Sequence, residues 1–407
     1  MPPPAAVSPR KLGRLEAIDG MRGLSLAMMV LGHIGLSGGM LLSRLHLGEL
    51  GFVQSAQGFF FVSGLLVGLI HIRPYAEGNG QLARGRLLRR ALTLYAWNLG
   101  LLIAVLLLAK LVPLSWAVYQ WWLEDLAEPE KPSAVLAALM LYQPVYLDIL
   151  PQYVLFLLAS PLVLAWVADG RWALALTLSG ACWLLVQLGA HQLVQAPVVD
   201  ALRTIDPEYM PKGAFNPLAW QIVFVTGLVA GAMVRLGQLD PARLFRPERT
   251  ELVVLSLVLL AAFAGWRLLF NAGLMPDELV ERLKVLEHRR EFGVVCLLNF
   301  AAFGWLVAWS LVAGPRSPHA AARQFAAFLH WLFARPFFVL LGRHALPVFA
   351  FHVVLVYAIR PFDWWYGPFP EPMASLIGLA VVVSLALPAV LAEQRSAATP
   401  SPRPGRA

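Results

Sequence analysis

Windows of some twenty apolar residues recur along almost the whole of this chain, each long enough to cross a hydrocarbon core about 30 Å thick. Inside lipid the backbone has no water to bond, so a segment of this length must satisfy its own N–H and C=O groups as a helix. The windows fall at 20–42, 52–71, 88–111, 148–168, 172–190, 216–236, 251–270, 292–312, 340–359 and 373–392. The fold class expected is therefore all-α, a polytopic integral membrane protein of about ten transmembrane helices. Composition excludes the soluble alternative: 59% of the residues are hydrophobic and 14% charged, against about 45–50% and 25% in soluble domains. The organisation reads as one membrane domain over 14–392. The flanking tails at 1–13 and 393–407 are rich in proline and cations and expected to be disordered.

A further apolar stretch, 325–339, is short, carries His330 and Arg335 and is broken by Pro336, so it is expected to lie along the interface. If it spans instead, the count becomes eleven. Cytoplasmic loops retain Lys and Arg, and an inside N-terminus places roughly two-thirds of these cations on that side. The clearest blocks are Arg10, Lys11 and Arg14, then Arg84, Arg86, Arg89 and Arg90, then Arg243, Arg246 and Arg249. Both termini are thus expected in the cytoplasm, with the chain in a bacterial inner membrane. The net charge of +8 is a topology signal and not a nucleic-acid footprint. The N-terminal apolar run is too long for a cleavable signal and has no small-residue cleavage site behind it. Cys182 and Cys296 both fall inside expected spans, as small apolar packing residues.

The longest outer loops are 112–147, with Trp116, Tyr119, Trp121, Trp122, Glu124, Asp125, Glu128 and Glu130, and 191–215, with Asp200, Asp206, Glu208 and Tyr209. Aromatics beside carboxylates suit sugar rings, and equally an interfacial aromatic belt. There is no internal repeat, glycine-rich phosphate loop or His/Cys cluster at metal spacing, so neither a bound metal nor a bound cofactor is expected.

Ionisable residues inside a span cost about 2–4 kcal/mol on insertion scales, and each is a functional candidate for that reason. His33 lies about 14 residues beyond Asp19, roughly 20 Å along a helix axis and within the expected first span. Arg22 shares its face, since eleven steps of 100° return to within about 20° of the same direction. The pair sets a permanent cation at the cytoplasmic mouth and a titratable imidazole deeper in, an arrangement suited to a long anionic substrate. Arg86 and Arg89 stand three residues apart at the start of the third span and can grip phosphate oxygens, although a positive-inside flank has the same appearance. Ser63 and Gly64 in the second span permit close helix approach. The ninth span carries Arg343 and His352, with Asp363 beyond it near the outer face.

In this order the motifs resemble the membrane acyltransferases that O-acylate sugars, the acyltransferase-three superfamily. Arg22 followed after ten residues by His33 is similar to that family's first-span signature, Phe60-Phe61-Val62-Ser63-Gly64-Leu65 to its second-span box, and Arg86 with Arg89 to its arginine pair. Within the superfamily the chain looks most like the OpgC branch, which adds succinyl groups to osmoregulated periplasmic glucans. That resemblance is carried by Ala17-Ile18-Asp19-Gly20-Met21-Arg22-Gly23, Gly51-Phe52-Val53, Leu147-Asp148-Ile149-Leu150-Pro151, Phe215-Asn216-Pro217-Leu218-Ala219-Trp220-Gln221 and Gly342-Arg343-His344-Ala345-Leu346-Pro347-Val348-Phe349. It implies acyl transfer from a cytoplasmic acyl-CoA, succinyl-CoA in this branch, to a hydroxyl of a periplasmic glucan or other saccharide. It implies His33 as the catalytic group, acting as general base or accepting the acyl group transiently. Arg22, Arg86 and Arg89 would hold the donor, with Asp19, Ser63, Arg343, His352 and Asp363 in support. The competing reading is a proton-coupled transporter or flippase, which usually shows related halves with interrupted helices; no such symmetry is found.

Overall fold

The computed structural model describes residues 16–45, 48, 51–123, 126, 133–205, 207, 209 and 213–398, and all their regular structure is helical. Among the described residues, eight helical segments are long and apolar enough to cross a membrane. They are α2 (Ser55–Ala76), α3 (Gly80–Leu111), α4 (Ile149–Ala168), α7 (Pro217–Arg235), α8 (Glu251–Asn271), α9 (Val294–Val312), α12 (Ala345–Tyr366) and the run Glu371–Arg395, built from α13 (Glu371–Ser384) and α14 (Ala386–Ala398). Two bent pairs satisfy the same test together, α5 (Trp172–Gln187) with α6 (Gln192–Arg203), bent by 63°, and α10 (Ala320–Phe333) with α11 (Pro336–Arg343), bent by 55°.

The expected first span is realised differently. Its helix, α1, runs only from Glu16 to His33 and carries Glu16, Asp19 and Arg22, so it is not one of the eight apolar spans. What accommodates α1 is backbone contact with the end of α10 and with α11. A Cβ on Gly20 would collide with the Phe333 carbonyl, one on Gly23 with that of Phe338, and one on Gly342 with that of Asp19. The end of the stretch expected along the interface, Phe333 and Phe338, thus packs against α1, while Phe325, Phe328 and Trp331 stay about half exposed. Pro336 does not prevent this, because at the first turn of α11 its missing N–H would have no helical acceptor anyway.

A second glycine seam joins α2 to α7. Gly64 and Gly68 abut the Phe224 and Leu228 carbonyls, while Gly227 and Gly231 abut those of Phe61 and Leu65. Each helix presents small residues four apart, the pattern that lets two backbones touch in lipid, where water supplies no drive to associate. Ser63 lies in this part of α2, 1% exposed, with no partner for its hydroxyl.

Other boundaries also shift. The ninth span begins at Ala345, after a break at His344, and not at 340. Residues 192–203 are helical where a loop is expected, the turn before them being made by Gly189 at φ +76. Helix α14 continues past the expected tail boundary at 393, and Glu393 is held by Arg343 at 3.5 Å and His344 at 3.4 Å. The expected tail 1–13 and residues 399–407 lie outside the described residues, as do Glu124, Asp125, Glu128, Glu130, Asp206 and Glu208.

Candidate active site

The chain leaves α1 at His33 and turns through Gly38, where a Cβ would strike the Phe369 carbonyl, and Gly39, at φ +75. His33 is thus the last residue of its helix and not, as expected, part-way along a span reaching 42. It faces a cavity of about 660 Å³. Asp363 fixes the segment that follows: its carboxylate accepts from the Ser37 N–H and hydroxyl, both at 3.0 Å, and it is itself 4% exposed. It shapes the site through Ser37.

His33 Nδ1 lies 3.1 Å from Nε2 of His352, which is 1% exposed, and His352 Nδ1 lies 2.7 Å from the Phe349 carbonyl oxygen. A carbonyl only accepts, so His352 Nδ1 carries the hydrogen. In a neutral ring its Nε2 then holds a lone pair, and His33 Nδ1–H donates to it. In a neutral His33 the unprotonated nitrogen is therefore Nε2, the atom a general base or nucleophile needs.

An aromatic wall orients the ring. Tyr146 stacks on His33 with centroids 4.2 Å apart, and Trp122 meets Tyr146 edge-on at 5.2 Å. The wall is anchored through polar tips: the Tyr357 hydroxyl donates to the Val145 carbonyl at 2.9 Å, and the Tyr119 hydroxyl to the Tyr357 carbonyl at 2.8 Å. The loop aromatics thus divide. Trp122 lines the cavity, whereas Trp116 and Trp121 are 62% and 75% exposed, as belt residues are.

The remaining expected residues gather elsewhere. Arg22, about 16 Å before His33 along α1, donates to the Gly342 carbonyl at 3.2 Å and packs 5.7 Å from the Phe59 ring centre. Asp19 and Arg90 lie within its electrostatic range. Arg343 pairs with Glu393, and Arg86 and Arg89 are exposed near the start of α3. None of these lines the cavity, and neither does Ser63.

Sequence reasoning missed the residues that complete the cavity: Gln54 and Ser55 at the start of α2, Asp148 ahead of α4, and Arg289 and Arg290. A signal was present for one of them. Asp148 belongs to the run 147–151 and accepts from the Ala214 N–H at 2.9 Å, while Gln152 donates to the Phe215 carbonyl at 2.6 Å, so two motifs quoted separately form one wall.

A family model described as OpgC protein matches residues 14–397. The chain belongs to the OpgC family. No curated protein and no solved structure matches it. The OpgC match covers both histidines, both glycine seams and the whole cavity wall.

Proposed function

We infer that this OpgC-family protein is a membrane O-acyltransferase. It moves an acyl group, succinyl first among the candidates, from a cytoplasmic acyl-CoA to a hydroxyl of a periplasmic glucan or other envelope saccharide. The observation that carries the reading is the Phe349–His352–His33 chain, which leaves His33 Nε2 as a base at a cavity walled by Trp122 and Tyr146. Aromatic faces of that kind suit a sugar ring. Arg289 and Arg290 on the same cavity suit an acyl group that ends in a carboxylate. On this reading His33 takes the proton from the acceptor hydroxyl, while Arg22, Arg86 and Arg89 hold the phosphates of the donor from the cytoplasmic side, where both termini lie.

The bent pairs α5/α6 and α10/α11 are the feature a transporter would share, since carriers build their sites from interrupted helices. Neither bend contributes a residue to the His33 cavity, which favours acyl transfer.

The test is the purified chain in nanodiscs with succinyl-CoA and a periplasmic glucan. Wild type should release CoA thiol and form the glucan ester in equal amounts, and His33→Ala should do neither. Labelled glucan crossing proteoliposomes without thiol release would replace this reading by transport.

A further inference from the structure

The cavity that holds His33 is also lined by the first turn of α2. The N–H groups of Ser55 and Ala56 point out of the helix end and have no acceptor within it, and the 22-residue helix adds the positive end of its dipole. Two side chains there are poorly explained by packing. Gln54 and Ser55 line the cavity, and the Ser55 hydroxyl and the Gln54 side-chain amide nitrogen are buried with no hydrogen-bond partner, Ser55 as a whole being 8% exposed. An unsatisfied buried donor costs stability, so two beside one helix end call for an absent acceptor.

The turn is rigidly held. The Gln57 side chain accepts from the Gln54 N–H at 3.0 Å and donates to the Phe52 carbonyl at 3.2 Å. Asn299 on α9 accepts from the Phe52 N–H at 3.0 Å. Donors fixed in advance, in a site shared with a base, are the arrangement that stabilises a charge which exists only during reaction.

We propose that the start of α2, through the Ser55 hydroxyl, the Gln54 amide and the first-turn N–H groups, is the oxyanion-binding subsite for acyl transfer. The proposal rests on the acyltransferase reading and adds its second catalytic element. The acceptor oxygen attacks the thioester carbonyl carbon as His33 Nε2 removes the hydroxyl proton. The carbonyl π pair moves to oxygen, and that oxyanion is held by the start of α2. Collapse re-forms the carbonyl and breaks the C–S bond, and His33 returns the proton to the departing thiolate. One alcohol and one thioester become one ester and one thiol.

The experiment compares the full-length wild type, Ser55→Ala, Ser55→Thr and Gln54→Met in nanodiscs. It reads kcat, KM for succinyl-CoA, affinity for its unreactive thioether analogue, and the thermal midpoint. Loss of one oxyanion donor lowers kcat by about 10²–10³-fold, and Ser55→Ala and Gln54→Met should fall in that range. KM and analogue affinity should stay within about twofold, since the planar acyl group carries no such charge. Ser55→Thr keeps the hydroxyl and should recover most of the rate. The thermal midpoint of Ser55→Ala should equal or exceed that of wild type, because an unsatisfied buried hydroxyl is removed, whereas a structural serine would lower it. A kcat within threefold of wild type in both deletion variants, or a parallel loss of analogue affinity, overturns the proposal. If His33→Ala is inert while those variants stay active, the subsite fails and the acyltransferase reading survives. A wild type that consumes no acyl-CoA removes both.

Discussion

His33 and His352, separated by 319 positions in the chain, meet at 3.1 Å across the bundle with Nδ1 facing Nε2. On the acyltransferase reading the contact makes His352 a positioning residue, because its Nδ1 is committed to the Phe349 carbonyl and its Nε2 accepts from His33. His352→Ala should lower kcat by about 10²-fold, a part of what general-base catalysis contributes, and leave KM for acyl-CoA nearly unchanged. His352→Gln, whose amide oxygen can accept from His33 Nδ1–H, should recover part of that loss. Steady-state kinetics of the two variants decide the matter, and equal inactivity would mean that the imidazole does more than orient its neighbour.

The buried carboxylate of Asp363 ties the Ser37 N–H and hydroxyl, and through them the segment leaving His33. Asp363→Ala should lower both the thermal midpoint and kcat, the stability loss being about 1.5–3 kcal/mol for the charge-assisted bonds removed. Asp363→Asn keeps an acceptor and should fall between. A full loss of activity with unchanged stability would assign Asp363 a direct part in the chemistry.

At the α2–α7 seam even one methyl has no room, since a Cβ on Gly64 or Gly227 meets backbone of the opposing helix. Gly64→Ala and Gly227→Ala should each cost about 1–3 kcal/mol, the range for overpacking. Gly100, on α3, has open space around its Cβ position, and Gly100→Ala should be neutral or slightly stabilising. Thermal unfolding of the three variants in one detergent tests the contrast.

Arg86 and Arg89 stand exposed in the first turns of α3 and do not line the His33 cavity. If they hold donor phosphates, the double Ala variant should bind acyl-CoA about tenfold to a hundredfold more weakly with glucan affinity unchanged. Lys at both positions should rescue only in part, because an ammonium lacks the bidentate fork. Complete rescue by Lys would assign these arginines to topology alone. Titration of acyl-CoA against the three proteins separates the outcomes.

The sequence by itself determined that this is a helical membrane protein, because hydropathy is a property of contiguous windows and lipid forces each window to bond its own backbone. It also singled out His33 and Arg22, since an ionisable residue in such a window stands out against its neighbours. The tertiary structure alone decided what those residues meet. A window does not state which helix lies beside it, so His352 could be noted but not paired with His33. Glycine spacing in α2 does not reveal that α7 carries the matching pair, nor do Gly20 and Gly23 reveal that the end of α10 and α11 will press against them. For the same reason Ser63 stands out as part of a motif, while Ser55, in an unremarkable turn, is one of the serines that line the cavity. Helix ends are set by such contacts too: α1 stops at His33 because Asp363 and Phe369, from the far end of the chain, meet the residues after it.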